Sequence, residues 1–359
     1  MNKSRRIFSL ILSLAFILSV CACAPKGSVI DLTYFNTAIH IETHDKVIDK
    51  NTQASIKNLL YDLENRFDVN NENSLTAEFN SSSKNASFDI SDREYDIIST
   101  AKDCFNFSDG DFNPAVYPLI KLWQFNDYPT LNFTIPDSTA ILDAIKLTDF
   151  NAVSLDTTSK KITKTKENVQ IDFGGIVKGY AAEKVMNILT ESGHTAGYVN
   201  VGGSSLALLK TDTLGIRHPR ANSELPSIIT VNTENVTNVN VSTSGDYQRY
   251  YEQDGTIYSH IISTKNGYPT NTGVISVTVI GADGAFSDAV TTAACLKTHN
   301  VENTENSELI KFLTKIIERY SSAQVYAIYL KDNVKQLITN KIESQDFTLH
   351  DKSYKIFKI

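Results

Sequence analysis

The sequence is poor in cysteine: it has four among 359 residues, and two of these, Cys21 and Cys23, close an apolar run at the N-terminus. Only Cys104 and Cys295 remain beyond it, and they provide no metal-ligand spacing. They could pair in an oxidising compartment or remain as two buried thiols, and the sequence leaves both open. An excess of positive charge is also missing. Against 34 Lys and Arg stand 41 Asp and Glu, for a net charge of −7. That balance argues against nucleic acid as a partner and against a polybasic membrane patch. After the N-terminal run, no stretch is apolar enough to span a bilayer. The chain also lacks internal repeats, long polar interior linkers, the dinucleotide fingerprint of three spaced glycines and a P-loop.

What the N-terminus does have is a secretion signal. Lys3, Arg5 and Arg6 form a basic start, and Ile7 to Val20 an apolar stretch too short to cross a membrane comfortably. Ala22 at −1 and Val20 at −3 place processing just before Cys23, a pattern similar to a bacterial lipobox, whose cysteine is acylated. Residues 1–22 are therefore expected to be a lipoprotein signal peptide, 23–30 a lipid-anchored linker and 31–359 the folded domain. Each buried methylene of the lipid adds about 0.8 kcal/mol of membrane attachment. Removing three cationic residues takes the net charge from −7 to −10. The expected location is the extracytoplasmic face of the cell membrane.

Along the chain, Leu32 to Ile41 alternates as a strand does, and Asn51 to Arg66 has helical spacing. Phe67 to Ser87 is rich in Asn, Ser and Glu and reads as a loop. Helices are expected at Ser91 to Ser108 and Asp137 to Leu147. In the centre, Val169 to Phe173 reads as a short strand, followed by Gly174-Gly175 and a helix from about Val177 to Leu189. Ala196 to Val201 is a strand ended by Gly202-Gly203. Further strands are expected at 227–232, 236–242, 256–262, 274–280 and 325–330, and helices at 287–296 and 308–320. Strands and helices mix without regular alternation, which favours an α+β domain of mixed sheets flanked by helices.

Four constellations carry chemistry. Asp172-Phe173-Gly174-Gly175-Ile176-Val177-Lys178 puts glycines before a helix, so the backbone can approach a ligand and the helix N-terminus can meet an anion. Asp288 and Thr292, four apart on a helix, project from one face as hard oxygen ligands suited to Mg²⁺. His260, at a strand end beside a turn, is placed to meet a ligand. The aromatic segment from Asp111 through Phe125 could wall a planar ring system.

In this order and at these separations the motifs resemble the ApbE family, the FAD:protein FMN transferases. The matching segments are Asp172 to Tyr180, Val199 to Gly203, Thr243 to Tyr247, Tyr258 to Ile262 and Ser287 to Ala293. The resemblance implies that Asp172 and Lys178 contact FAD and that the Gly175 carbonyl joins Asp288 and Thr292 around Mg²⁺. It implies that His260 and Ile261 lie against the flavin nucleotide, with Phe35, Phe67 and the Phe112-Asn113 turn near the ring system. His260 and Asp288 are the implied catalytic residues. Three positions depart from the family pattern: Ser204 follows the second glycine pair, Ser263-Thr264 replaces Asp-Pro, and Asn113 stands where Asp is common.

The implied reaction moves FMN from FAD to a Thr or Ser hydroxyl of an acceptor redox protein, with release of AMP. The same motifs would serve Mg²⁺-dependent hydrolysis of FAD to FMN and AMP, and a non-catalytic FAD-binding lipoprotein is a third reading.

Overall fold

The computed structural model describes residues 27–130, 132–211, 213–220, 226–234 and 237–359. The signal segment and Cys23 lie outside the described residues. The architecture is built on a nine-stranded sheet whose strands follow one another across the sheet in chain order. They are β1 (Ser28–Tyr34), β2 (Thr37–Thr43), β3 (Gly197–Val201), β4 (Ser205–Lys210), β5 (Thr237–Gly245), β6 (Val274–Ile280), β7 (Gln324–Lys331), β8 (Val334–Thr339) and β9 (Lys355–Lys358). Neighbours pair antiparallel except β8 and β9, which are parallel. β1 begins at Ser28, inside the stretch expected as linker, because Ser28 pairs with Thr43.

Five longer helices accompany the sheet: α1 (Lys50–Phe67), α2 (Asp92–Phe107), α3 (Gly174–Glu191), α4 (Gly284–Cys295) and α5 (Glu308–Arg319). The main core joins these helices to one face of the sheet. A second core on the other face is closed by a three-stranded sheet of Thr213–Arg217, Ser227–Asn232 and Phe347–Leu349. β6 is buried along its whole length: Val277 and Val279 enter the first core, and Ile275 and Ile280 the second. A strand covered on both faces has no solvent-facing positions, and even Ser276 and Thr278 of β6 are fully buried. The expected α+β class is the observed one.

Several expectations are corrected. The run from Leu32 to Ile41 is a hairpin and not one strand, because Phe35 and Asn36 both take left-handed φ (56° and 53°) and reverse the chain. The polar stretch after Phe67 contains a short helix, Leu75–Ser81, whose first turn is capped by Ser74. Val169 to Phe173 joins no sheet. It is held instead by Asn80 and Pro114: Ile171 N–H donates to Asn80 Oδ1 at 2.7 Å, Asn80 Nδ2 donates to Ile171 O at 2.9 Å, and Asp172 N–H donates to Pro114 O at 2.8 Å. Cys104 and Cys295 are free thiols, and burial raises the pKa of both. Among the described residues, no helix is long and apolar enough to cross a membrane.

Candidate active site

Helices α3 and α4 cross so closely that side chains are excluded where they touch. A Cβ on Gly179 would lie 2.1 Å from Gly284 O, and one on Gly284 would lie 2.3 Å from Gly179 O. Glycine is required at both positions by space alone. The crossing brings Asp288 against α3, where its Oδ2 accepts the Gly179 N–H at 3.0 Å. In a regular helix that N–H serves the carbonyl four residues back, here Gly175. Asp288 thus competes with the Gly175 carbonyl for one donor. Thr292 lies one turn on: its Oγ1 donates to Asp288 O at 3.3 Å and is 3.0 Å from Ser244 Oγ. A Cβ on Gly175 would sit 4.0 Å from Thr292 Oγ1. The structure therefore brings Gly175, Asp288 and Thr292 together from two helices.

Asp288 is only 3% exposed and belongs to no ion pair among the described residues. A buried carboxylate without a counter-charge is costly, so the site suits a cation. The donors are a carboxylate, a hydroxyl and a carbonyl, all hard oxygens, and Mg²⁺ fills its remaining positions with water and substrate oxygens. Among the described residues, no cluster of three or more His, Cys, Asp or Glu could hold a metal on its own. A metal here would depend on its substrate for part of its shell.

These residues open into a cavity of about 760 Å³, lined also by Phe35, Phe67, Phe112, Asn113, Asp172, Lys178, His260 and Ile261. Every predicted site residue within the described chain reaches this one space. Asp172 Oδ1 accepts the Gly174 N–H at 2.6 Å, which leaves the Gly175 N–H of the first turn of α3 without a partner among the described residues. Burial raises the Asp172 carboxyl above its ordinary pKa, while the Gly174 N–H, Lys178 and Arg249 oppose that rise. Lys178 turns back along its own helix and donates to Gly174 O at 2.6 Å. Phe67 packs edge-on against Phe173 at 5.5 Å. Asn113 lines the cavity, but its amide is committed to the scaffold: Oδ1 accepts the Ala115 N–H, and Nδ2 donates to Thr148 O and Thr264 Oγ1. Two of the positions that depart from the family pattern, Asn113 and Thr264, thus bond each other.

His260 lines the same cavity. Its Nδ1 is 3.1 Å from Arg249 O, and since a carbonyl only accepts, Nδ1 carries the proton and Nε2 keeps its lone pair. Burial chiefly, then the Arg249 and Lys178 charges, hold its pKa down to about 4 against the pull of that hydrogen bond. It is neutral at physiological pH. Sequence reasoning missed Arg249 and Asn80, and it marked Ser244 only as part of the Thr243 to Tyr247 match. Arg249 had a usable signal. Asp254-Gly255 is a two-residue hairpin turn, and counting outward from it sets Arg249 opposite His260.

A sequence model of the ApbE family matches residues 27–308. The chain is 30% identical over 255 residues to the FAD:protein FMN transferase of Klebsiella pneumoniae, covering 71% of this chain and 77% of that protein. It is 29% identical over 253 residues to the FAD:protein FMN transferase of Treponema pallidum, covering 66% and 68%. The crystal structure of the ApbE protein of Thermotoga maritima superposes with a TM-score of 0.72 at 25% identity, over 84% of this chain and 94% of that one. The flavin transferase ApbE of Vibrio cholerae has the same fold, with a TM-score of 0.72 at 20% identity over 85% and 94%. By these relatives the chain is a transferase enzyme. The chain belongs to the ApbE family.

Proposed function

We propose that this chain is a Mg²⁺-dependent FAD:protein FMN transferase that esterifies a Thr or Ser hydroxyl of an acceptor redox protein and releases AMP. The observation that carries the reading is Asp288, a buried carboxylate with no cationic partner among the described residues, facing the cavity that the α3 N-terminus also faces. The names of the relatives supply FAD and a protein acceptor. The lipobox at Cys23 supports attachment to the outer face of the membrane, where an extracytoplasmic acceptor would be within reach.

The acceptor oxygen attacks the phosphorus on the riboflavin side of the pyrophosphate. A new P–O bond forms, the bridging P–O bond breaks, and AMP leaves with the bridging oxygen. His260 Nε2 takes the hydroxyl proton, while its Nδ1–H stays on Arg249 O. The first turn of α3 and the Lys178 ammonium hold positive potential towards the phosphates. When bound by Gly175, Asp288 and Thr292, Mg²⁺ would neutralise phosphate oxygens and favour departure of AMP. As in other phosphoryl transfers, the protein supplies position and electrostatics.

The test is to incubate the protein with FAD, Mg²⁺ and a candidate acceptor while following acceptor mass and free AMP. Adduct and AMP in equal amounts is the expected result. AMP with free FMN and no adduct would make the enzyme a hydrolase, and neither product would make it a flavin-binding lipoprotein.

A further inference from the structure

We propose that Arg249 contacts the phosphate at which transfer occurs and acts as one unit with His260. This rests on the transferase reading above. The hairpin of Tyr250–Gln253 and Thr256–Ser259 sets Arg249 opposite His260. The Arg249 carbonyl accepts both the His260 backbone N–H at 3.0 Å and the His260 Nδ1–H at 3.1 Å. One residue therefore fixes both the position and the tautomer of the base.

The side chain of that residue carries a cation into the same cavity. Among the described arginines, Arg66, Arg93, Arg220 and Arg319 are each paired with a carboxylate. Arg217 and Arg249 are in none of the ion pairs among the described residues, and both line the cavity. An arginine fork that lines a cavity and makes no ion pair of its own among the described residues matches the geometry of a phosphate. Arg249 is singled out from Arg217 by its hold on His260.

The pairing has a mechanistic consequence. The charges bearing on His260 are Arg249, from the hairpin, and Lys178, from α3, and the Phe125 ring packs edge-on at 6.3 Å. In the free enzyme the guanidinium disfavours a proton on His260. A phosphate bound to Arg249 offsets that charge, so His260 becomes the stronger base only when substrate is in place.

Arg249→Met and Arg249→Lys in the full chain test this, with FAD affinity, kcat, KM and the pH profile of kcat/KM as readouts. Arg249→Met should lower kcat/KM by about 10²-fold, the scale for removing one preorganised donor to a developing charge. It should also move the acidic limb upward towards the ordinary histidine value. Arg249→Lys should recover much of the rate and restore the limb. A Met variant within twofold of wild type, or equal losses in both variants with an unmoved limb, would overturn the proposal. If wild type yields neither adduct nor AMP, the transferase reading itself fails, independently of either variant.

Discussion

The Gly179 N–H donates to Asp288 Oδ2 at 3.0 Å, across a helix crossing where no side chain fits. The carboxylate of the candidate metal site is thus oriented by the backbone of the helix that also carries Gly175. Packing and chemistry share one contact. Gly179→Ala would place a methyl 2.8 Å from Asp288 Cβ as well as against Gly284 O. It should destabilise the fold by about 1–3 kcal/mol, as overpacking does, and cost most of the transfer activity. Urea denaturation and a transfer assay on the same preparation check both.

The grip of Asn80 on Ile171 predicts a different pattern. Asn80→Leu leaves an N–H and a carbonyl unsatisfied beside Asp172, which should cost about 1–3 kcal/mol. The α3–α4 crossing stays intact, so protein that remains folded should keep its Mg²⁺ affinity measured without FAD, where water completes the metal's shell, while FAD affinity falls. Calorimetric titration with each ligand separates the two; loss of Mg²⁺ affinity alone would contradict this role.

The acid limb of activity should lie low. With the His260 pKa held down to about 4, the base is neutral through the physiological range and is lost only as pH falls through that value. kcat/KM, measured in brief pH jumps, should be flat from about pH 8 to about pH 5 as far as His260 is concerned. A limb centred near the unperturbed value of about 6.5 would show that burial and the Arg249 charge do not hold the His260 pKa down in the working enzyme.

Stability should respond to acid at another place. Asp45, just after β2, accepts from His194 Nδ1 at 3.0 Å and from the Thr195 and Lys46 N–H groups at 2.7 and 2.8 Å. Burial pushes its carboxyl up, but these bonds more than offset that and hold it at about 2. Its contribution is present above the unfolded value of about 3.9 and is lost as pH falls towards about 2. Asp45→Asn should flatten the pH dependence of unfolding across that window, read from denaturant midpoints.

The fold class was legible in the mix of strands and helices, and the residues that line the cavity were marked by local pattern and by family resemblance. Gly174-Gly175, His260 and the Asp288/Thr292 pair each carry their chemistry locally, through a turn, a strand end or a helical repeat. What stayed hidden depends on partners distant in sequence. Val169 to Phe173 looks like a strand, yet Asn80 supplies the bonds a neighbouring strand would have given. Phe35-Asn36 turns the chain without the glycine that marks most such turns. Arg249 shows no motif of its own, and only the register of its hairpin ties it to His260.

FMN transfer is expected at the cavity that Asp288 lines. The most direct measurement compares wild type with Asp288→Ala, incubated with FAD, Mg²⁺ and an acceptor protein, by covalent flavin fluorescence on the denatured acceptor. Wild type should label the acceptor, and the variant, still folded, should lose labelling by at least about 10²-fold. Labelling by Asp288→Ala at the wild-type rate would contradict the account.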